Sequence, residues 1–303
     1  MNDHDSAYAG LVDADPADQW AFGTGFDDPL AGVDTTLPGG VDGTDLATYC
    51  LMLGDDALIS AQRLTQWCTR APELEEEVAL ANIGLDLLGQ ARLLLARAAA
   101  ADPAVVPVLP EGAPAPAEDA LAFFRDTSQF RCVRLVELPN GDFAHSITRL
   151  LLFCTHRLAA MNRLRESRDP VLAAVAAKGV KELTYHRDYA ARWFVMLAGG
   201  TEESRRRIEN AIASVWPFVD ELFLPHPVEA RLAGVAVDSS SLRDEFDGVI
   251  GQVQRAAKLS VPAWRPVALV AGRSGREGVH TEALSHLLAE MQSVARAHPS
   301  GAW

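Results

Sequence analysis

Apolar side chains recur every three or four residues along four long stretches of the chain. This spacing puts them on one face of a helix, and such a face is buried against neighbouring helices. The predicted helices cover about 44–67, 72–100, 143–166 and 170–198. The second has its predicted seam at Leu74, Val78, Ala81, Leu85 and Leu88. Nothing shows the two-residue alternation of strands, so we expect an all-α protein.

Turn signals separate these helices. Pro72 is placed to open the second helix, and residues 102–117 hold five prolines and must form a loop. Asp142 is a good N-cap for the third helix, and Gly199 with Gly200 stops the fourth. Four long helices with a longer link in the middle predict a ferritin-like four-helix bundle.

Shorter helical patterns surround the predicted bundle. One covers about 118–126, and three follow the fourth long helix at about 202–223, 241–260 and 281–297. Because the later segments are short, we expect them to cover the bundle as additional C-terminal helices. Residues 44–303 are therefore predicted to form one ferritin-like helical domain.

Residues 1–43 differ from the rest in composition. They contain nine of the 41 acidic residues and none of the 27 lysines and arginines. Glycine and proline recur, and apolar residues are too few to offset the entropy of ordering the segment. We predict a disordered acidic N-terminal extension.

Charge and composition limit the possible partners and compartments. The formal net charge of -14 argues against a nucleic-acid partner. The chain has neither a run of 18 apolar residues nor a basic start before an apolar core, so we expect no membrane span and no signal peptide. The four cysteines are widely spaced and form no Cys-x-x-Cys pair. Free thiols and a cytoplasmic location are the expected consequence.

The fourth helix carries the most informative polar residues. His186 belongs to its apolar seam, and Glu182 lies one turn earlier on the same flank. The second helix echoes this spacing with Asp86 and Gln90. In carboxylate-bridged di-iron bundles, an acid and a histidine inside the bundle hold metal. The repeated spacing is what remains of an internal two-fold of that kind.

The full set of di-iron ligands is nevertheless missing from the sequence. A ferritin-type site takes about four carboxylates and two histidines, with Glu-x-x-His on two helices. Here the second helix has no histidine, the third has no acid between Asp142 and Glu166, and the first offers only Asp55 and Asp56. We therefore expect no metal in this chain and no catalytic residue.

The remaining polar residues predict a vestigial metal-site network. Its members are Asn82, Asp86, Gln90, Glu182 and His186. Buried side chains of these types must be hydrogen-bonded. Arg149, Arg157 or Lys181 are candidates to compensate the carboxylates. The alternative is an active di-iron oxygenase with an atypical ligand set.

Several blocks of sequence occur in order along the chain. They are Leu51–Leu64, Ala71–Glu75, Ala79–Arg92, Glu137–Ala144, Arg165–Pro170, Lys181–His186, Gly275–Glu282 and Leu287–Gln292. These blocks resemble the C-type subunits of bacterial phenylacetyl-CoA ring 1,2-epoxidases. The resemblance covers about 44–303, and residues 1–43 look like an addition.

The resemblance implies a function in a multicomponent monooxygenase of aerobic phenylacetate degradation. In that family a related A-type subunit holds the di-iron centre and is catalytic. A reductase subunit holds a flavin and an iron–sulfur cluster. The C-type subunit is structural and non-catalytic, and pairs with the A-type subunit. The implied partners are therefore the A-type subunit and the other subunits of the complex, with self-association in their absence.

Overall fold

The structure is a computed structural model, and it describes Leu30, residues 32–260 and residues 269–301. Most of the predicted disordered extension lies outside these residues. Its described part contacts the helical domain. The Leu30 side chain is buried, and Arg97 Nη1 donates a hydrogen bond of 2.6 Å to the carbonyl oxygen of Thr35. These contacts join the segment just before residue 43 to the domain.

The described residues form α-helices and short 3-10 turns, and no β-strand among them extends beyond an isolated bridge between Val270 and Arg273. The all-α, ferritin-like prediction is confirmed. The α-helices are α1 (Gly43–Thr65), α2 (Leu74–Ala101), α3 (Ala117–Phe123), α4 (Arg134–Glu137), α5 (Phe143–Leu164), α6 (Pro170–Gly199), α7 (Glu202–Val215), α8 (Pro227–Arg231), α9 (Arg243–Ala257), α10 (Glu282–Met291) and α11 (Ser293–Ala297).

Helices α1, α2, α5 and α6 are the four long helices of the bundle. Helix α1 packs along α2, α5 packs along α6, and the contact between α2 and α6 joins the two pairs. Aspartate N-caps start three of the helices. Asp42, Asp142 and Asp169 accept hydrogen bonds from the backbone of α1, α5 and α6. Each cap satisfies a backbone N–H group that has no partner within its helix.

The predicted seam of α2 is wrong. Leu74, Val78, Leu85 and Leu88 are 71%, 52%, 62% and 45% exposed. The core-facing residues of α2 include Leu80, Ile83, Leu87, Ala91 and Leu94. Because α2 is apolar on more than one side, two stripes fit the helical period equally well, and only packing distinguishes them. The other stripe remains on the surface.

Helix α2 has apolar residues on more than one side, and by length and composition alone it could cross a membrane. Its most apolar window is 44% buried within the protein. A core helix of a soluble bundle passes this test as well, so the finding is weak support for a span.

The segments outside the bundle are shorter than predicted. The helix expected over about 202–223 ends at Val215 and continues as 3-10 turns, and the one expected over about 281–297 is divided into α10 and α11. The loop before α10 lies directly on the link between α3 and α4. A Cβ atom on Gly275 would lie 2.1 Å from the carbonyl oxygen of Cys132. Only glycine permits this approach.

Candidate functional site

His186 and Asp86 form a polar pair between α6 and α2. The two side chains meet at 2.9 Å, from Nε2 of His186 to Oδ2 of Asp86. His186 is fully buried, whereas the Asp86 side chain is 41% exposed. Burial lowers the pKa of His186, and the hydrogen bond to Asp86 opposes that shift. The second ring nitrogen, Nδ1, is buried without a hydrogen-bond partner.

Gln90 links the same two helices one turn further along α2. Its Nε2 donates a hydrogen bond of 2.9 Å to Oε2 of Glu182, and its Oε1 accepts one of 3.0 Å from Nε of Arg157. Lys178 lies 3.5 Å from the other carboxylate oxygen of Glu182. The amide therefore connects a carboxylate on α6 with a guanidinium on α5.

The five predicted network residues do not form a single network. The described contacts give two neighbouring groups, Asp86 with His186 and Gln90 with Glu182. Asn82 is exposed on α2 and takes no part in either group. The reason is the rotation of α2 that leaves its predicted seam on the surface. A residue one turn before Asp86 then faces solvent.

Arg157 is the residue that fills the polar centre. It is buried, and besides Gln90 it donates a hydrogen bond of 3.0 Å to the carbonyl oxygen of Leu53. Its Nη2 atom is buried without a hydrogen-bond partner. Burial lowers the pKa of the guanidinium to about 10, so the side chain stays charged at neutral pH. Of the three candidates, Arg157 is the one that contacts this group.

The residues of the bundle centre do not fit a di-iron site. Helix α5 offers no carboxylate, and α2 offers no histidine. Asp55 and Asp56 on α1 are bound elsewhere. Asp55 pairs with Arg125, and Asp56 pairs with Arg276 through contacts of 2.8 and 3.0 Å. A di-iron centre needs bridging carboxylates and imidazoles with open positions, and the buried cation of Arg157 repels metal ions.

Sequence reasoning missed these buried ion pairs. Asp55 and Asp56 are almost fully buried, and their carboxylates also accept backbone N–H groups of Arg131 and Val133 at 2.8 and 2.9 Å. One signal was present in the sequence. Two adjacent acids inside an apolar helix need buried partners, because an unpaired buried charge is very costly. Nothing in the sequence identified those partners.

A second buried polar cluster joins the link before α5 to the loop before α10. Cys132, Glu137 and His280 offer ligand atoms that all lie within 4.8 Å of one another. Nδ1 of His280 lies 2.6 Å from Glu137, whose other oxygen accepts two hydrogen bonds of 2.7 Å from Thr281. Burial raises the pKa of the Cys132 thiol well above its usual value. Both carboxylate oxygens of Glu137 already have partners within the protein, so the cluster joins the two segments through hydrogen bonds.

Comparison with known proteins gives the family. The model of the phenylacetic acid catabolic protein family matches residues 35–303. This chain belongs to that family. It is also 43% identical, over 260 residues, to the C-type subunit of 1,2-phenylacetyl-CoA epoxidase of Escherichia coli strain K12. The match covers 85% of this chain and 99% of the relative.

Membership of the phenylacetic acid catabolic family confirms the resemblance that the sequence blocks indicated. The matched range also includes residues 35–43, which precede the predicted domain boundary. Those residues contact the domain in the structure, through Arg97 to Thr35 and through Arg168 to Gly39. The family domain therefore begins before α1.

Proposed function

We propose that this chain is a structural, non-catalytic subunit of a phenylacetyl-CoA 1,2-epoxidase. In this proposal it pairs with a catalytic, di-iron A-type subunit and supports it during aerobic phenylacetate degradation. The observation that carries the proposal is the position of Arg157. A buried cation, hydrogen-bonded to Gln90, lies among the side chains that would have to bind iron.

Two further observations support a structural function. Asp55 and Asp56 of α1 are already neutralised by Arg125 and Arg276, so they are not free to bridge metal ions. The similarity to a C-type epoxidase subunit extends over 99% of that relative. The proposal therefore places the di-iron centre in the A-type subunit, and the flavin and iron–sulfur cluster in a reductase subunit. It places no cofactor in this chain, and locates the complex in the cytoplasm.

The test is to purify this chain alone and together with the A-type subunit of its own complex. We expect stable co-purification with the A-type subunit. When the reductase subunit and its electron donor are added to both preparations, we expect turnover of phenylacetyl-CoA only in the one that contains the A-type subunit. Elemental analysis is expected to find substoichiometric iron in this chain alone. The alternative, an active di-iron oxygenase with an atypical ligand set, requires about two irons in each isolated chain. That iron content, together with turnover by the chain alone, would overturn the proposal.

A further inference from the structure

The outer face of α2 carries apolar side chains that the fold does not bury. Leu74, Val78, Leu85 and Leu88 are between 45% and 71% exposed, and Ala81 lies between them in the sequence. We refer to these five residues as the α2 outer stripe. It extends for four turns, about 21 Å at 1.5 Å per residue. A solvent-facing helix side of this length in a monomer is normally polar.

The spacing of the residues within the stripe indicates what kind of element can pack against it. Successive members are four, three, four and three residues apart. This is the repeat by which one helix packs along another over several turns, with each side chain set between side chains of the facing helix. An occupant that matches the whole stripe is therefore a long amphipathic helix that lies along α2.

An apolar groove extends the stripe to one side. Its volume is about 350 Å³, and its walls come from α1, α2 and α3, including Leu58, Leu85, Leu88 and Phe123. On the other side of α2, the neighbouring helix α6 exposes Tyr185 and Met196. The apolar surface is thus wider than one helix. Contiguous apolar surface of this kind marks protein–protein contacts.

The charges at the two ends of the stripe favour a different subunit, and not a second copy of this chain, as the occupant. Glu73 and Glu75 are exposed at the Leu74 end of the stripe, and Glu118 and Asp119 line the groove at the Leu88 end. A two-fold contact of α2 with α2 would place the acids at one end against those at the other. Glu118 is buried and pairs with Arg92, so Asp119 carries the remaining negative charge at that end. Like charges at both ends disfavour self-pairing.

We infer that the α2 outer stripe and its groove form the surface on which the A-type subunit docks. The contact is a long helix of that subunit, apolar along its centre and basic at the ends that face Glu73, Glu75 and Asp119. This inference rests on the proposed function, because it takes the existence of the pair from there. It adds where on this chain the pair is formed.

The test uses the full chain co-expressed with the A-type subunit. Leu85→Glu and Leu88→Glu place a charge in the stripe, and Val108→Glu places the same charge at a side chain that is 99% exposed elsewhere. We expect the stripe variants to bind the A-type subunit at least about tenfold more weakly. Val108→Glu should bind as the unsubstituted chain does, and all three should keep its melting temperature, since the changed side chains are exposed.

The outcomes distinguish this inference from the proposed function. If the unsubstituted chain fails to bind the A-type subunit, the proposed function is wrong. If that chain binds and both stripe variants bind equally well, the pair exists but the surface is wrongly assigned. A photo-crosslinking residue at position 85 identifies the occupant directly. A crosslink to the A-type subunit supports the inference, whereas a crosslink to a second copy, or to residues 1–29 of the same chain, overturns it.

Discussion

Nε of Arg157 lies 3.0 Å from Oε1 of Gln90 and joins α5 to α2 at the centre of the bundle. The side-chain amide of Gln90 can accept one hydrogen bond and donate another at the same time. A carboxylate at position 90 would be a potential metal ligand, whereas the amide both accepts from Arg157 and donates to Glu182. The polar centre is therefore satisfied mainly by the protein's own side chains.

Replacement of His186 by alanine tests whether this centre serves stability or chemistry. His186→Ala removes the buried partner of Asp86 and leaves a cavity between α2 and α6. We expect the free energy of unfolding to fall by about 1–3 kcal/mol. Turnover of phenylacetyl-CoA per assembled complex should stay unchanged. Denaturant unfolding and turnover normalised to intact complex are the two measurements.

His286→Ala is the control, because His286 lies on the surface with its side chain 76% exposed. It should change neither quantity. Loss of turnover in a fully assembled His186→Ala complex of normal stability would contradict a structural function for the pair.

Removal of one member of a buried ion pair should cost more. Asp56→Ala leaves Arg276 buried without its carboxylate and also removes the acceptor of the Val133 backbone N–H. We expect a loss of about 3–5 kcal/mol in the free energy of unfolding. Asp247→Ala, which breaks an exposed pair with Arg243, should cost less than about 1 kcal/mol. Equal losses in the two variants would show that the buried pair stabilises the fold no more than the exposed pair does.

Two deletions locate the start of the folded domain. A variant that lacks residues 1–29 keeps Leu30, the Thr35 carbonyl that binds Arg97, and the Asp42 cap of α1. It should melt at the temperature of the full chain and still bind its partner. A variant that lacks residues 1–43 loses all three contacts, and its melting temperature should fall by several degrees. If the shorter deletion destabilises as much as the longer one, the domain begins earlier than we expect.

Buried histidines should make the protein sensitive to mild acid. Burial lowers the pKa of His156 to about 3 and that of His145 to about 4. In the unfolded chain a histidine titrates near pH 6.5. Above that pH both states are neutral, so the shifts cost nothing. Below pH 6.5 these histidines bind protons in the unfolded state but stay neutral in the folded state. The free energy of unfolding therefore falls as the pH drops from about 6.5 towards 4.

His156→Gln isolates one of these contributions. The variant should lose less stability between pH 7 and pH 5 than the unsubstituted chain does, when each is unfolded in urea at both values. His286→Gln, at an exposed site, should leave the difference between the two pH values unchanged. The same pH sensitivity in His156→Gln as in the parent chain would mean that His156 is not the source.

The long helices could be predicted from the sequence because their evidence is local. Apolar spacing and the break at Gly199 are read within a few residues, and α6 begins and ends within one residue of its predicted limits. Which face of α2 is buried could not be predicted from local sequence. Its apolar residues satisfy the helical period twice, so the choice of the buried stripe depended on α1 and α6.

The sequence predicted one network of five residues and named Arg157 among its candidate cations, but it predicted neither the two separate groups nor the partners of Asp55 and Asp56. The four-residue spacing from Glu182 to His186 was enough to place both beside α2, where they contact Gln90 and Asp86. The partners of Asp55 and Asp56 were not predictable in the same way. Arg125 and Arg276 lie 70 and 220 residues away in the sequence, and no periodicity links residues across such distances.

The separation between Asp56 and Arg276 has a consequence for the order of events during synthesis. The carboxylate is made with the first long helix, whereas its guanidinium partner is made 220 residues later. Until then the nascent bundle cannot desolvate that acid without a large penalty. Completion of the core must wait until Arg276 has been made. A prematurely terminated chain would keep a hydrated charge at its centre, which would mark it for proteolysis.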